Sequence, residues 1–325
     1  MDDRIPAYKR IALGTMTLCS VAVVLMALFS PLDVHRHEVF QKYVGLTSFI
    51  AAMAALTFWM RSRFMVHMET PIGQALLRWM PEVMLLLTFL YWLPGAITMA
   101  DYLVLPWSLP LVDAWLAAPE EALGLTHPVS FAWFERNGLV GPFERIYGIL
   151  ENQILLLAAY YILVKRSTFR LWQYISTLAF AGVASVVPMW AFPARGPTAH
   201  YAGEYPVAPP QLDYLIVLDS LRAGEMFDYV TIAGLLSCPS FHTVFALLLI
   251  RAWADAPKPL FALAAVANSL VVVSTIPIGS HYLVDIVGGI AWTLMAVFAV
   301  DRLADAWLAR QGRPAAEADA APTPS

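Results

Sequence analysis

Charge is scarce in this chain. Asp, Glu, Lys and Arg make up 14% of its 325 residues while 59% are hydrophobic, against about 25% charged and 45–50% apolar in soluble domains. That balance excludes an ordinary water-soluble domain. Cysteine is nearly absent as well: Cys19 and Cys238 stand far apart, and such a pair makes neither a disulfide framework nor a metal motif. No basic excess exists either, and a formal net charge of −4 argues against nucleic acid as a partner. Long polar stretches that could fold as a second, soluble domain are also lacking, so the length is read as one membrane domain.

What fills the chain is apolar sequence. Eight segments approach the roughly 20 residues a bilayer demands: 11–30, 43–60, 82–102, 147–164, 171–192, 239–253, 260–278 and 281–300. The first follows Arg4, Lys9 and Arg10, as a signal peptide would. Its apolar run exceeds an h-region of about 7–15 residues and no small-x-small site follows, so it reads as a retained span. Glu82 and Asp101 are expected at the lipid–water boundary. Between spans three and four, residues 103–145 carry five prolines together with Trp107, Trp115 and Trp133. These suit short interfacial helices, either a packing lid or a lipid-access element. A polar, proline-rich loop covers 193–236, and the Ala-, Pro- and acid-rich tail after Arg310 is expected to be disordered.

Counting Lys and Arg gives the orientation. With the N-terminus inside, the inner segments hold fourteen and the outer segments six. The positive-inside rule then puts both termini in the cytoplasm. Under that topology the loop from Pro193, together with His242, His281 and Asp285, lies on the outer face.

Those residues define the candidate site. His281 and Asp285 are four apart at the start of the last span, a spacing that puts both on one helix face. His242 opens the span from Pro239 within Cys238-Pro239-Ser240-Phe241-His242. Ionisable groups are costly in or beside a bilayer, so their presence there points to function. A neutral imidazole is a competent nucleophile or base near pH 7, and a carboxylate on its other nitrogen fixes the tautomer and stabilises the cation. Both histidines are expected in the first turn of a helix, where free N–H groups and the dipole favour anions. Ser240 suits an N-cap and Pro239 a helix start. Arg195, in Ala194-Arg195-Gly196-Pro197, offers a bidentate fork for phosphate. Glu151 and Asn152, in the fourth span, read as satisfying each other or a neighbouring helix.

At these residues the chain resembles the type 2 phosphatidic acid phosphatase superfamily of membrane lipid phosphatases and phosphotransferases. Pro239-Ser240-Phe241-His242 meets that family's Pro-Ser-x-His signature, and Ser274, His281 and Asp285 match Ser-Arg-x5-His-x3-Asp at the family spacing. The resemblance covers about 171–300. It implies that His281 is a nucleophile forming a phosphohistidine, that Asp285 orients it and that His242 protonates the leaving alkoxide. Arg195 and Ser240 would bind substrate, and neither metal nor cofactor would take part. Three positions depart from the pattern. Pro188 stands where the first signature has lysine, Gly196 separates Arg195 from Pro197, and Thr275 replaces the arginine of the third. The His-Tyr-x-x-Asp form looks more like the inositol phosphorylceramide synthase-like (inositolphosphotransferase) branch, whose members pass a phospho-head group between lipids.

The fold expected is therefore an all-α, polytopic membrane bundle of about eight transmembrane helices. N-terminal helices occupy 1–80, a catalytic membrane domain with a six-helix core 81–305, and a disordered tail 306–325. A membrane lipid or lipid phosphate is the expected substrate. The host is a bacterial inner membrane with a periplasmic site or a eukaryotic endomembrane with a luminal one, and the short loops and Ala-rich tail mildly favour the first. Two rivals stand beside this reading. One is a transporter or flippase relaying protons through His and Asp, although the chain shows no inverted repeat. The other is a zinc enzyme, although a helix-start dipole repels a cation.

Overall fold

A computed structural model of the protein describes residues 2–29, 71–150, 152–204, 213–225, 237–278 and 281–312, with Leu235 and a few isolated positions between 52 and 62. The expected second span, the tail after 312 and Glu151 lie outside the described residues. All described elements are helices: α1 (Ile5–Phe29), α2 (Pro71–Val104), α3 (Asp113–Leu123), α4 (His127–Arg136), α5 (Val140–Gly148), α6 (Asn152–Ala159, continued by a π-helical turn Tyr160–Lys165), α7 (Phe169–Ala184), α8 (Val186–Ala191), α9 (Pro197–His200), α10 (Asp213–Ala223), α11 (Phe241–Ala252), α12 (Lys258–Ser274) and α13 (Leu283–Arg310).

Four stretches are long and apolar enough to cross a bilayer: Ile5–Phe29, Glu82–Trp107, Phe169–Ala191 and Leu283–Arg310. A fifth is reached if α5 and the helix from Asn152, bent by 47° to each other, count as one span. The chain is thus a helical, multi-pass membrane protein, with fewer full-length spans among the described residues than the eight expected. The expected sixth and seventh spans form helices of 12 and 17 residues. Hydropathy reads composition over a window and does not register that the helix from Phe241 gives way to a 3-10 turn at Trp253–Asp255.

The bundle is built around α7, which packs against α1, α11 and α13. Trp92 and Trp172 are among its largest fully buried side chains, and Phe89 meets Trp172 edge-on at 5.8 Å. At one end, acids neutralise four of the basic residues: Arg4 pairs with Asp305, Lys9 with Glu82, Arg170 with Asp255 and Arg251 with Asp301. Tyr8 donates to Asp301 at 2.8 Å and Trp172 to Glu82 at 2.8 Å, which ties α1, α2, α7, α11 and α13 into one polar layer. Asp101, expected at the boundary, is instead buried in α2 with Oδ1 unpartnered among the described residues.

The starts of α11 and α13 meet at the opposite end of α13. They approach closely because Gly289 carries no side chain: a Cβ there would lie 2.7 Å from the Ser240 carbonyl oxygen and 2.8 Å from the Thr243 Cβ. The first of these is backbone and cannot swing aside. Gly289→Ala is expected to cost about 1–3 kcal/mol through overpacking, read as a lower denaturation midpoint in detergent, with a larger loss for Gly289→Val. An unchanged midpoint in both would show that this contact is loose.

Candidate active site

The last helix begins two residues later than the sequence suggests. Tyr282 is the N-cap of α13, so His281 precedes the helix rather than opening its first turn. The turn is held by Asp285, the third helical residue, whose Oδ2 accepts from the Tyr282 N–H at 2.9 Å, as in a capping box. The same oxygen accepts from the Ser237 hydroxyl at 2.9 Å and faces His281 Nδ1 at 3.4 Å. Asp285 is fully buried and His281 is 5% exposed. The His–Asp contact is longer than a relaxed N–H···O bond of about 2.7–3.2 Å, as apo sites often are. With Nδ1 turned to the carboxylate, Nε2 is the nitrogen left for chemistry.

His242 comes from the start of α11. Ser240 caps that helix, its hydroxyl accepting from the Thr243 N–H at 3.4 Å and bonding the Thr243 hydroxyl at 3.1 Å. Its backbone N–H donates to the Asp285 carbonyl at 2.9 Å, which locks the two helix starts together. The result sets the His242 and His281 rings 6.2 Å apart, centroid to centroid. Residues 39 positions apart in sequence thus share one site because Gly289 and the Ser240–Asp285 bond allow it.

Sequence reasoning missed Tyr147. It lies in the last turn of α5, its hydroxyl lies 3.0 Å from His242 Nδ1, and the two rings stack at 4.3 Å. A tyrosine at a span boundary reads as an interfacial anchor, so nothing local marks it as a histidine partner. A phenol both donates and accepts, so it can serve His242 neutral or protonated.

A second layer fastens the turn around His281 from outside. Tyr282 is fully buried and its hydroxyl donates to Asp113 Oδ1 at 2.9 Å. Asp113 also accepts from the backbone N–H groups of Arg195 and Gly196, at 3.0 and 2.9 Å. Gly196, the N-cap of α9, has φ +85°, a value that favours glycine where the chain turns into that helix. Glu120 Oε2 accepts from the Leu283 N–H at 3.2 Å, and burial, opposed by that N–H, raises the Glu120 pKa. The 103–145 region is therefore tied directly to the site: α3 packs on α13.

Two expected substrate-binding residues are engaged elsewhere. A single guanidinium nitrogen of Arg195, Nη2, bonds both oxygens of Asp219, at 2.8 and 2.9 Å, in a half-exposed ion pair. Ser240 is fully buried, with its hydroxyl in the cap. Thr275, in the place of the missing arginine, is buried too. Its hydroxyl donates to the Val272 carbonyl at 2.7 Å and its own carbonyl accepts from the His281 N–H at 3.3 Å. Position 275 thus braces the histidine through its backbone. Cys238 offers no rival nucleophile, because burial, with Asp285 adding, pushes its thiol up to about 12.

The PAP2 superfamily profile matches residues 114–299, more than half of the chain. The chain belongs to the PAP2 superfamily. No curated protein and no solved structure matches it. The PAP2 match runs from α3 into α13 and so includes Tyr147, His242, His281 and Asp285, while α1 and α2 lie outside it. PAP2 membership supports phosphatase-type phosphoryl transfer on lipid-like substrates.

Proposed function

We propose that the chain is an integral membrane phosphotransferase that works without metal, acting on a lipid phosphate or phospho-head group through a phosphohistidine on His281. The observation that supports this best is the juxtaposition of the His281–Asp285 pair with His242 at a 6.2 Å ring separation. His281 Nε2 attacks phosphorus, and the bond from phosphorus to the lipid oxygen breaks. His242, protonated once the phosphate charge is bound beside it, gives its proton to that oxygen, and Asp285 stabilises the cationic phosphohistidine ring. In the second half an acceptor O–H attacks phosphorus, its proton returns to His242 and the P–N bond breaks. Tyr147 accepts from His242 while the ring is charged and donates to it when neutral. The dipole at the start of α11 favours the phosphate charge.

Water as acceptor gives a phosphatase; a lipid or polyol hydroxyl gives a transferase. The His281-Tyr282-x-x-Asp285 form favours transfer in the manner of the inositolphosphotransferase branch. We assign the catalytic domain to 81–305 and the site to the periplasmic face. The test is turnover of a panel of phospholipids and lipid pyrophosphates by purified protein with EDTA present, with and without an added hydroxyl lipid. Turnover that persists with chelator is expected, and dependence on added metal would falsify the proposal. His242→Ala is expected to slow substrates with poor leaving groups at least about 100-fold more than those with good ones. Equal losses would remove His242 from the acid role.

A further inference from the structure

A cavity of about 560 Å³ lies between α1, α7 and α13, within the range of about 300–1,000 Å³ typical of ligand sites. Its lining includes Leu18, Phe180 and Leu303 along its length, with Arg10, Trp307 and Arg310. Leu18 and Leu303 are 66% and 49% exposed, so no described part of the protein covers this apolar surface. The two arginines lie at the end of the bundle that carries the ion pairs. At this end of the bundle Arg4, Lys9, Arg170 and Arg251 each face a carboxylate. Arg10 and Arg310 face none among the described residues; Arg10 lies 5.1 Å over the Trp307 ring instead.

Two guanidinium groups that face no carboxylate among the described residues, at one end of an apolar groove, call for an anion that carries a hydrocarbon tail. We infer that the groove between α1, α7 and α13 binds an anionic phospholipid, its phosphate held by Arg10 and Arg310 and an acyl chain lying against Leu18, Phe180 and Leu303. Guanidinium forks match phosphate oxygens in geometry and charge. Residues 303–310 are 20 to 27 residues along α13 from its start, roughly 30–40 Å at 1.5 Å per residue. The bound lipid is therefore not the molecule reacting at His281. The inference stands independently of the catalytic proposal, because its readout is lipid retention.

The experiment uses full-length protein stripped of lipid in detergent, then offered phosphatidylglycerol or phosphatidylcholine, each with a photoreactive acyl chain. Retention is measured by native mass spectrometry and attachment by peptide mapping. At about fivefold per basic residue near a headgroup, phosphatidylglycerol is expected to be retained roughly 25-fold better, with label on α1, α7 and α13. The double variant Arg10→Gln/Arg310→Gln is expected to bring that ratio near one. Arg302→Gln, whose side chain stacks over Phe298 outside the groove lining, should keep it. Gly14 lines the cavity and has open space where a Cβ would sit, so Gly14→Phe should fill the groove and abolish labelling by both lipids without lowering the denaturation midpoint. Equal retention of the two lipids, a ratio unchanged in the double variant, label mapping elsewhere or label lost to a second copy of the chain would each overturn the inference. Displacement of phosphatidylglycerol by equimolar inorganic phosphate would overturn the acyl-chain part, since it would mark a site for the anion alone.

Discussion

Replacing His281 with alanine is expected to abolish turnover of every substrate the wild-type protein accepts, by about ten-thousand-fold or more, and to leave the bundle folded. The ring touches the site rather than the core. Its partner oxygen on Asp285 keeps the Tyr282 N–H and Ser237 hydroxyl as donors when the imidazole is removed. The helix cap therefore survives the truncation, and the denaturation midpoint in detergent should move little. The second readout is covalent. Wild-type protein quenched during turnover of a labelled lipid phosphate should carry an acid-labile, base-stable label that maps to the peptide containing residue 281, and His281→Ala should carry none. A label that persists in His281→Ala, or substantial residual turnover, would move the nucleophile elsewhere. His242 is the imidazole to examine then, because it stands 6.2 Å away with its Nδ1 engaged by Tyr147.

The parts of this site that were legible in sequence are those set by short-range geometry. Four-residue spacing put His281 and Asp285 in contact, and Ser-x-His at a helix start predicted both the Ser240 cap and the place of His242 in the first turn. What could not be read is set by chain partners far away. Tyr147 meets His242 across 95 residues, Asp113 meets Tyr282 across 169, and Glu120 meets Leu283 across 163. Each of these residues looks locally like an interfacial or solvated group. Arg195 shows the same limit. Its motif position suggests a phosphate ligand, and nothing near it in sequence shows that Asp219, 24 residues on, bonds its Nη2. The fold followed the same division: apolar composition gave a helical membrane bundle, whereas the break near residue 150 and the short helix from Phe241 depend on packing that a hydropathy window does not contain.

Asp285→Asn separates positioning from charge, and it is expected to lower kcat by roughly a hundredfold to ten-thousandfold with little change in KM. Asp285 Oδ2 receives three donors, while Oδ1 is buried and meets none among the described residues. An asparagine can enter this site in two orientations. With its carbonyl oxygen in the place of Oδ2, the three donors keep their acceptor and His281 keeps its tautomer. The ring then loses the negative charge that stabilises it once Nε2 carries phosphate. With the amide nitrogen there instead, three donors face a fourth, Tyr282 loses its cap, and Nδ1 becomes an acceptor only if the proton moves to Nε2, where it blocks attack. Either way the loss is expected on the chemical step, because Asp285 is fully buried and acts through the His281 ring. Single-turnover kinetics distinguish the two orientations. The first slows phosphoenzyme formation with the midpoint intact, and the second lowers the denaturation midpoint as well. A variant that altered only the apparent KM would show that Asp285 acts on binding, and the orienting role would be lost.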